Sequence, residues 1–357
     1  MSLFASIITW RRGGASAALV AAMLFGVSTP VAKLFVADMS PWLLAGLLYL
    51  GSGLGLSLAD VGRQLLGRAG VLRVARGDVI WIAWAILLGG VCGPVLLMAG
   101  LARTPASTAS LLLNLEGVFT TAIAWYVFRE GFDRRIALGF VAITAGAGIL
   151  GWAGGIRVEG VSGPALIAAA CLAWALDNNC TRRVSHNDPL RLAAIKGLIA
   201  GSVNVAVATA LGASLPSLSA VVASAILGFF GYGLSLVLFI VALGSLGAAR
   251  TGAYFSTAPF AGSIVALLLL HEPVTLRFLI AFALMAIGVW LHLTEDHEHE
   301  HLHDQMVHAH WHLHDDHHAH AHDHGDPGGS PHAHAHTHPL VWHRHPHFPD
   351  THHRHSH

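Results

Sequence analysis

The sequence predicts an all-α membrane protein of ten transmembrane helices in two inverted five-helix repeats. Three observations carry this: too little charge to cover a water-facing surface, ten apolar stretches of spanning length, and a likeness between the two halves. Of the 357 residues, 54% are hydrophobic and 11% charged, against about 25% charged in a soluble globular chain. Mean hydropathy is +0.59 even with a polar C-terminal tail included.

A helical span takes about 20 mainly apolar residues. Candidates lie at 15–36, 41–60, 79–101, 105–128, 133–151, 162–181, 189–211, 219–243, 247–270 and 274–293. Hydrocarbon demands that every backbone polar group be paired internally, which favours helices. The alternating pattern of an outer-membrane barrel is absent. Arg11 and Arg12 ahead of an apolar run look like a signal sequence, but Ala15 to Val36 is long enough to cross. The reading is a retained first helix.

Loop arginines set the orientation, because cytoplasmic loops collect positive charge. With the N-terminus inside, the cytoplasmic side holds Arg11, Arg12, Arg63, Arg68, Arg73, Arg76, Arg129, Arg134, Arg135, Arg182, Arg183, Arg191 and Arg250. The other side holds Arg103, Arg157 and Arg277. Ten spans return the C-terminus to the cytoplasm of an inner-membrane protein.

The fifth and tenth candidates align without gaps. Glu130 falls on Glu272, Arg135 on Arg277, Phe140 on Phe282 and Gly146 on Gly288. The starts of the halves match more loosely, Lys33 on Arg182 and Pro41 on Pro189. Five spans per repeat invert the second copy relative to the first, a recurrent plan in secondary transporters. The expected organisation is a first repeat at 1–151, a second at 152–294 and a histidine-rich cytoplasmic tail, disordered, at 295–357.

Zero formal net charge and the lack of a basic stripe exclude nucleic acid as a partner. Cys92, Cys171 and Cys180 sit in or beside apolar stretches without a CxxC pair, as packed small residues. The glycine pairs Gly51/Gly55, Gly89/Gly93 and Gly197/Gly201 permit close helix approach, chiefly within the bundle, with a homodimer as the lesser use. No nucleophile–base pair lies within the spans, so an enzyme is not expected, and no cofactor is required. No Walker-type loop supplies ATP binding.

Ionisable groups inside a span are costly and mark function. Glu116 and Asn114 lie mid-span in "LLLNLEGVF", where a carboxylate has no route to the interface. Lys196 in the seventh span is its expected counter-charge. Asp177 and Asn178 form a polar cluster in the sixth span, matching Ser28 and Thr29 of the first. Lys33 follows Pro30, which is expected to kink or break the first helix. These six residues are the expected substrate pathway, along a cavity between helices one, four, six and nine.

The tail holds all 27 histidines except His186, His271 and His292. Imidazole suits Zn, Ni, Co and Cu, and interspersed Asp and Glu add oxygen ligands. The expected metal ligands are His297, His299, His301, His303, His308, His310, His312, His314, His317, His318, His320, His322, His324, His332, His334, His336 and His338. Low apolar content and "GDPGGSP" argue for disorder.

The motifs "LFGVSTPVAKLF", "SLLLNLEGVFTTAIAWYVFRE" and "STAPFAGSIVALLLLHEPVT" make residues 15–293 resemble the drug/metabolite transporter superfamily, in its EamA-like branch. That resemblance implies ten helices in two inverted repeats and alternating access of a central cavity. Relatives export or import amino acids, metabolites or drugs, often by proton exchange. The family often has Arg in the second span where this chain has Leu48; Lys196 occupies the equivalent place in the second half. The expected function is secondary transport of a small metabolite or drug. The alternatives are a divalent-metal transporter and a membrane-anchored metal buffer or sensor.

Overall fold

The computed structural model describes residues 14–66, 75–128, 134–151, 158–184, 187–293, 298–303, 306–312, 332–338 and 341–346. They fall into two units, the first reaching Glu295 and the second starting at Asp296.

The described residues of the first unit are helical: α1 (Gly14–Val36), α2 (Pro41–Leu65), α3 (Asp78–Leu101), α4 (Ala106–Leu112), α5 (Leu115–Phe128), α6 (Arg134–Gly151), α7 (Val158–Arg183), α8 (Pro189–Ala210), α9 (Leu218–Gly228), α10 (Ser235–Phe255), α11 (Ala258–Leu270) and α12 (Leu276–Leu293). Among the described residues, seven stretches are long and apolar enough to cross a membrane. α11 and α12 are shorter apolar helices. Large apolar side chains such as Met23, Leu58, Val141, Leu268 and Trp290 face outward from the bundle, as lipid solvation requires. The chain is a multi-pass membrane protein.

Local chemistry sets the helix starts. Ser40 caps α2 by accepting from the Leu43 amide at 3.2 Å, with Pro41 at the first helical position. Asp188 caps α8 in the same way, accepting from the Arg191 amide at 3.0 Å ahead of Pro189.

Three expectations about continuity are corrected. Of the kink or break expected at Pro30, the break does not occur: α1 stays helical to Val36; a proline removes one donor, and neighbouring helices offset that loss in a bundle. The fourth candidate span is not one helix. It divides at Leu113–Asn114, where the Leu113, Asn114 and Glu116 amides donate to carbonyls three residues back. The Asn114 side chain donates to Leu111 O at 3.0 Å and competes with the helix. Conversely, the expected loop between the eighth and ninth spans is helical, because α10 runs to Phe255 and breaks only at Ser256–Thr257. The first half turns at Thr104-Pro105, whereas its counterpart "LGSLGAAR" has no proline and keeps every helical donor.

Packing pairs α2 with α8, α6 with α12, α3 with α7, α9 and α10 with α1, α5 with α7, and α11 with α1. Exchanging the two halves maps this set of pairings onto itself. Glycines make the closest crossings. A Cβ on Gly288 would lie 2.8 Å from Gly139 O, and one on Gly146 3.1 Å from Ala281 O. All three GxxxG pairs face neighbouring helices of this chain: Gly51 meets Ala225, Gly55 Phe229, Gly89 Asp177, Gly93 Trp174, Gly197 Gly53 and Gly201 Leu50.

One end of the α2–α8 pair is held by charge. Asp60 accepts from Arg63 at 2.6 Å, Gln64 at 2.8 Å and Arg191 at 2.9 Å, and Arg63 also reaches Asp188 at 2.8 Å. These groups are partly exposed, so the network lies between a surface pair and a buried one. Asp60→Ala is expected to cost about 1–3 kcal/mol, read as a lower melting temperature in detergent that high salt partly reproduces in the parent protein.

The described residues of the second unit are four short strands. β1 (Glu298–His303) pairs antiparallel with β4 (Val341–Pro346), and β2 (Met306–His312) with β3 (His332–His338). The "HxHxH" runs have the period of two that a strand requires.

Candidate functional site

The site is built around a proline. Pro94 has no N–H, so neither a four-residue nor a five-residue helical bond can form to it. The chain responds with a π-helical stretch, Ile86–Cys92, in which the Gly93 amide donates to Leu88 O. The carbonyls of Gly89 and Gly90 are left to other donors. Gly89 O accepts from Tyr49 Oη at 2.6 Å and from Trp174 Nε1 at 3.0 Å. Gly90 O accepts from Asn204 Nδ2 at 3.2 Å. A second π-helical stretch, Phe229–Leu234, occupies the matching place in the other half.

Between these stretches lies a cavity of about 80 Å³, lined by Phe25, Tyr49, Glu116, Trp174, Asp177, Asn178, Lys196, Gly231, Tyr232, Ser235, Leu236, Phe239 and Phe255. That volume holds several waters, since one needs roughly 10–15 Å³. The aromatic wall is continuous. Phe25 packs on Trp174, Tyr232 and Phe255 at centroid distances of 5.9, 5.8 and 5.5 Å, and Tyr49 lies 5.6 Å from Tyr232. The Tyr232 hydroxyl is buried beside the Ser28 side chain and makes no hydrogen bond of good geometry.

Charge enters from three helices. Lys196 of α8 donates to Asp177 of α7 in a buried ion pair. The other Asp177 oxygen accepts from Thr181 Oγ1 at 2.9 Å. The space for that carboxylate exists because residue 89 is glycine; a Cβ there would fall on it. Glu116 sits in the first turn of α5, just past the Leu113–Asn114 break, and accepts from Asn178 Nδ2 at 2.8 Å. A helix N-terminus favours a carboxylate there. The expected Glu116–Lys196 pairing is thus corrected: Lys196 takes Asp177, one turn along α7 from Trp174.

Of the six expected pathway residues, Glu116, Asp177, Asn178 and Lys196 meet in the cavity. Lys33 and Asn114 do not. Lys33 Nζ donates to Leu101 O, the last carbonyl of α3, and, at 3.0 Å, to Thr104 O in the turn that follows. Asn114 is buried at the helix break. Beside Lys33, Glu272 accepts from the Ala106 and Ser107 amides at 2.6 and 2.9 Å. His271, with φ 52°, closes α11 just before it. Spans one, four, six and nine all line the cavity, the ninth through Phe255 at the end of α10, and the second, seventh and eighth spans add Tyr49, Lys196 and the Gly231–Phe239 stretch.

Sequence reasoning missed Tyr49, Trp174, Tyr232 and Phe25, because it searched for ionisable and amide side chains. Two signals would have found them: Phe25 and Trp174 occupy matching positions in the two halves, and Trp174 lies mid-span, away from the interface where tryptophans collect.

No His or Cys lines the cavity, and no cluster of three metal-ligating side chains occurs among the described residues. Of the expected tail ligands, His297, His314, His317, His318, His320, His322 and His324 lie outside the described residues. The others are placed in β1, β2 and β3.

The comparisons agree on the class. The "Uncharacterized transporter" of Methanothermobacter thermautotrophicus is 28% identical over 287 residues, 76% of this chain and 84% of that protein. The "Uncharacterized transporter YvbV" of Bacillus subtilis is 25% identical over 284 residues, 76% and 89% of the two chains. The "Probable 4-amino-4-deoxy-L-arabinose-phosphoundecaprenol flippase subunit ArnE" of Klebsiella pneumoniae is 35% identical over 79 residues, 22% of this chain and 70% of that subunit. A solved crystal structure shares the fold at TM-score 0.59 and 21% identity, over 77% of this chain and 95% of that one. The EamA-like transporter family model matches twice, at residues 12–152 and 161–294, and the chain belongs to that family.

Proposed function

We infer that the protein is a secondary transporter, carrying a small metabolite or drug across the inner membrane by alternating access of the cavity between its two halves. The observation that carries this reading is the cavity: carboxylates, a lysine and a buried tyrosine hydroxyl, enclosed by aromatic rings, lined by one π-helical stretch and tied through Tyr49 and Trp174 to the other. Irregular backbone at such depth is tolerated where it lines a cavity. The double family match, the self-mapping helix pairings and the reciprocal Gly139–Gly288 and Gly146–Ala281 crossings support ten spans in two inverted repeats. Loop arginines support both termini in the cytoplasm.

The cavity is much smaller than the roughly 300–1,000 Å³ of a small-molecule pocket, so cargo requires the halves to part. The Lys33 and Glu272 bonds to the turn between α3 and α4 hold one end closed. By the arginine rule that end is periplasmic. Glu116, the carboxylate without a cation at bonding distance, is the group assigned to ion or proton coupling.

The test is Glu116→Gln in proteoliposomes. Proton-driven flux of a cargo identified by thermal-shift screening should fall at least about tenfold, with exchange of cargo on both sides retained. Full gradient-driven flux would remove Glu116 from the mechanism.

A further inference from the structure

The charges lining the cavity do not balance. Asp177 and Lys196 pair with each other, and Thr181 Oγ1 donates to the second Asp177 oxygen at 2.9 Å. Glu116 is left with one neutral donor, Asn178 Nδ2 at 2.8 Å. Lys196 is the only cationic side chain among the lining residues. Lys33 is committed elsewhere, to the carbonyls of Leu101 and Thr104. With both carboxylates ionised, the lining carries one excess negative charge.

The walls act in the same sense. Phe25, Tyr49, Trp174, Tyr232, Phe239 and Phe255 line the space. Phe25 meets Trp174 at 77° and Tyr232 at 73°, so the rings form a cage rather than a stack. The face of an aromatic ring is the negative part of its quadrupole and attracts a cation within about 6 Å of the centroid.

The possible cargo charges fare differently here. An anion adds a second excess negative charge, and the one cation it could meet is already held by Asp177. A zwitterion brings an ammonium for Glu116, but its carboxylate must take Lys196 from Asp177. A neutral molecule leaves the Glu116 charge uncompensated in a poorly solvated place, which is costly. A monocation brings the lining to neutrality and needs no partner beyond Glu116 and the rings on arrival. We propose that the cargo is a small organic monocation, an amine or quaternary ammonium on a short apolar body, with its cationic head between Glu116 and the aromatic cage. This rests on the transport reading and names the cargo class of the same site.

The experiment is calorimetric titration of the full-length protein in an uncharged detergent with three probes that share one phenyl ring: phenethylamine, phenylalanine and 3-phenylpropionate. Phenethylamine should bind at least about tenfold more tightly than either of the others. Glu116→Gln should melt with the parent and lose that preference, while saturating amine still exchanges across vesicles. Phe255→Leu keeps the carboxylate and removes one ring; it should weaken the amine about threefold and leave the other probes unchanged. No binding of the amine, tighter binding of phenylalanine or 3-phenylpropionate, or an undiminished amine preference in Glu116→Gln would overturn the assignment. Vesicle flux separates the two readings. An amine that binds but is not moved defeats transport and leaves the cation site standing; phenylalanine moved in place of the amine defeats the cargo class and leaves transport standing.

Discussion

Gly197→Leu and Gly53→Leu are each expected to abolish the folded protein, whereas Gly148→Leu should leave it intact. The α2–α8 crossing brings backbone against backbone. A Cβ on Gly197 would lie 2.6 Å from Gly53 N and 2.9 Å from Tyr49 O, and one on Gly53 would press on Gly197 and Leu198 N. No rotamer change relieves a clash with backbone, so the helices must separate. Overpacking into a yielding core costs about 1–3 kcal/mol; here the cost should exceed that range. The crossing also carries Tyr49 and Lys196 into the cavity, so separation dismantles the site. Gly148 has no atom within 4 Å of its Cβ position and lies on an open face of α6. Size-exclusion profiles in detergent after expression check this: a monodisperse Gly197→Leu protein that melts with the parent would refute the argument.

How much of this was legible in the sequence follows from where the information sits. Apolar length reports the solvent, so the multi-pass character and most helix boundaries could be read directly. Proline and capping residues are local, and Ser40-Pro41 and Asp188-Pro189 sit where the candidate spans 41–60 and 189–211 begin. The cavity is a different matter. Glu116, Asp177, Asn178 and Lys196 stand out because polar groups are rare in spans, but their pairing depends on helix rotation, which composition does not encode. Lys196 therefore had to be assigned a partner by depth alone, and the structure gives it Asp177. The role of Gly89 was hidden for the same reason, since a glycine that makes room for a carboxylate on another helix looks like any packing glycine. Pro94 was visible yet unused. A proline inside a span requires new donors for two carbonyls, and searching nearby spans for Tyr, Trp and Asn would have led to Tyr49, Trp174 and Asn204.

Asp177→Asn and Lys196→Met should each be strongly destabilising, and the double variant should recover much of the loss. Both side chains are almost fully enclosed, at 5% and 8% exposure, so removing one leaves an uncompensated charge in a poorly solvated place. Such single losses typically cost about 3–5 kcal/mol, while replacing both charges by neutral groups of similar size is often close to neutral. Thermal melts of the three variants in detergent form a double-mutant cycle, and additive losses would mean that the pair is not coupled. The same proteins also separate a structural pair from a working one. A pair that merely braces α7 against α8 becomes dispensable once both charges are gone, and the double variant should transport. A pair that cargo opens during the cycle has no such substitute: the double variant would then fold, melt near the parent temperature and move nothing. The second outcome is expected here, because Asp177 and Lys196 face the same cavity as Glu116 and Tyr232. A brace would have served equally well on the outer side of α7.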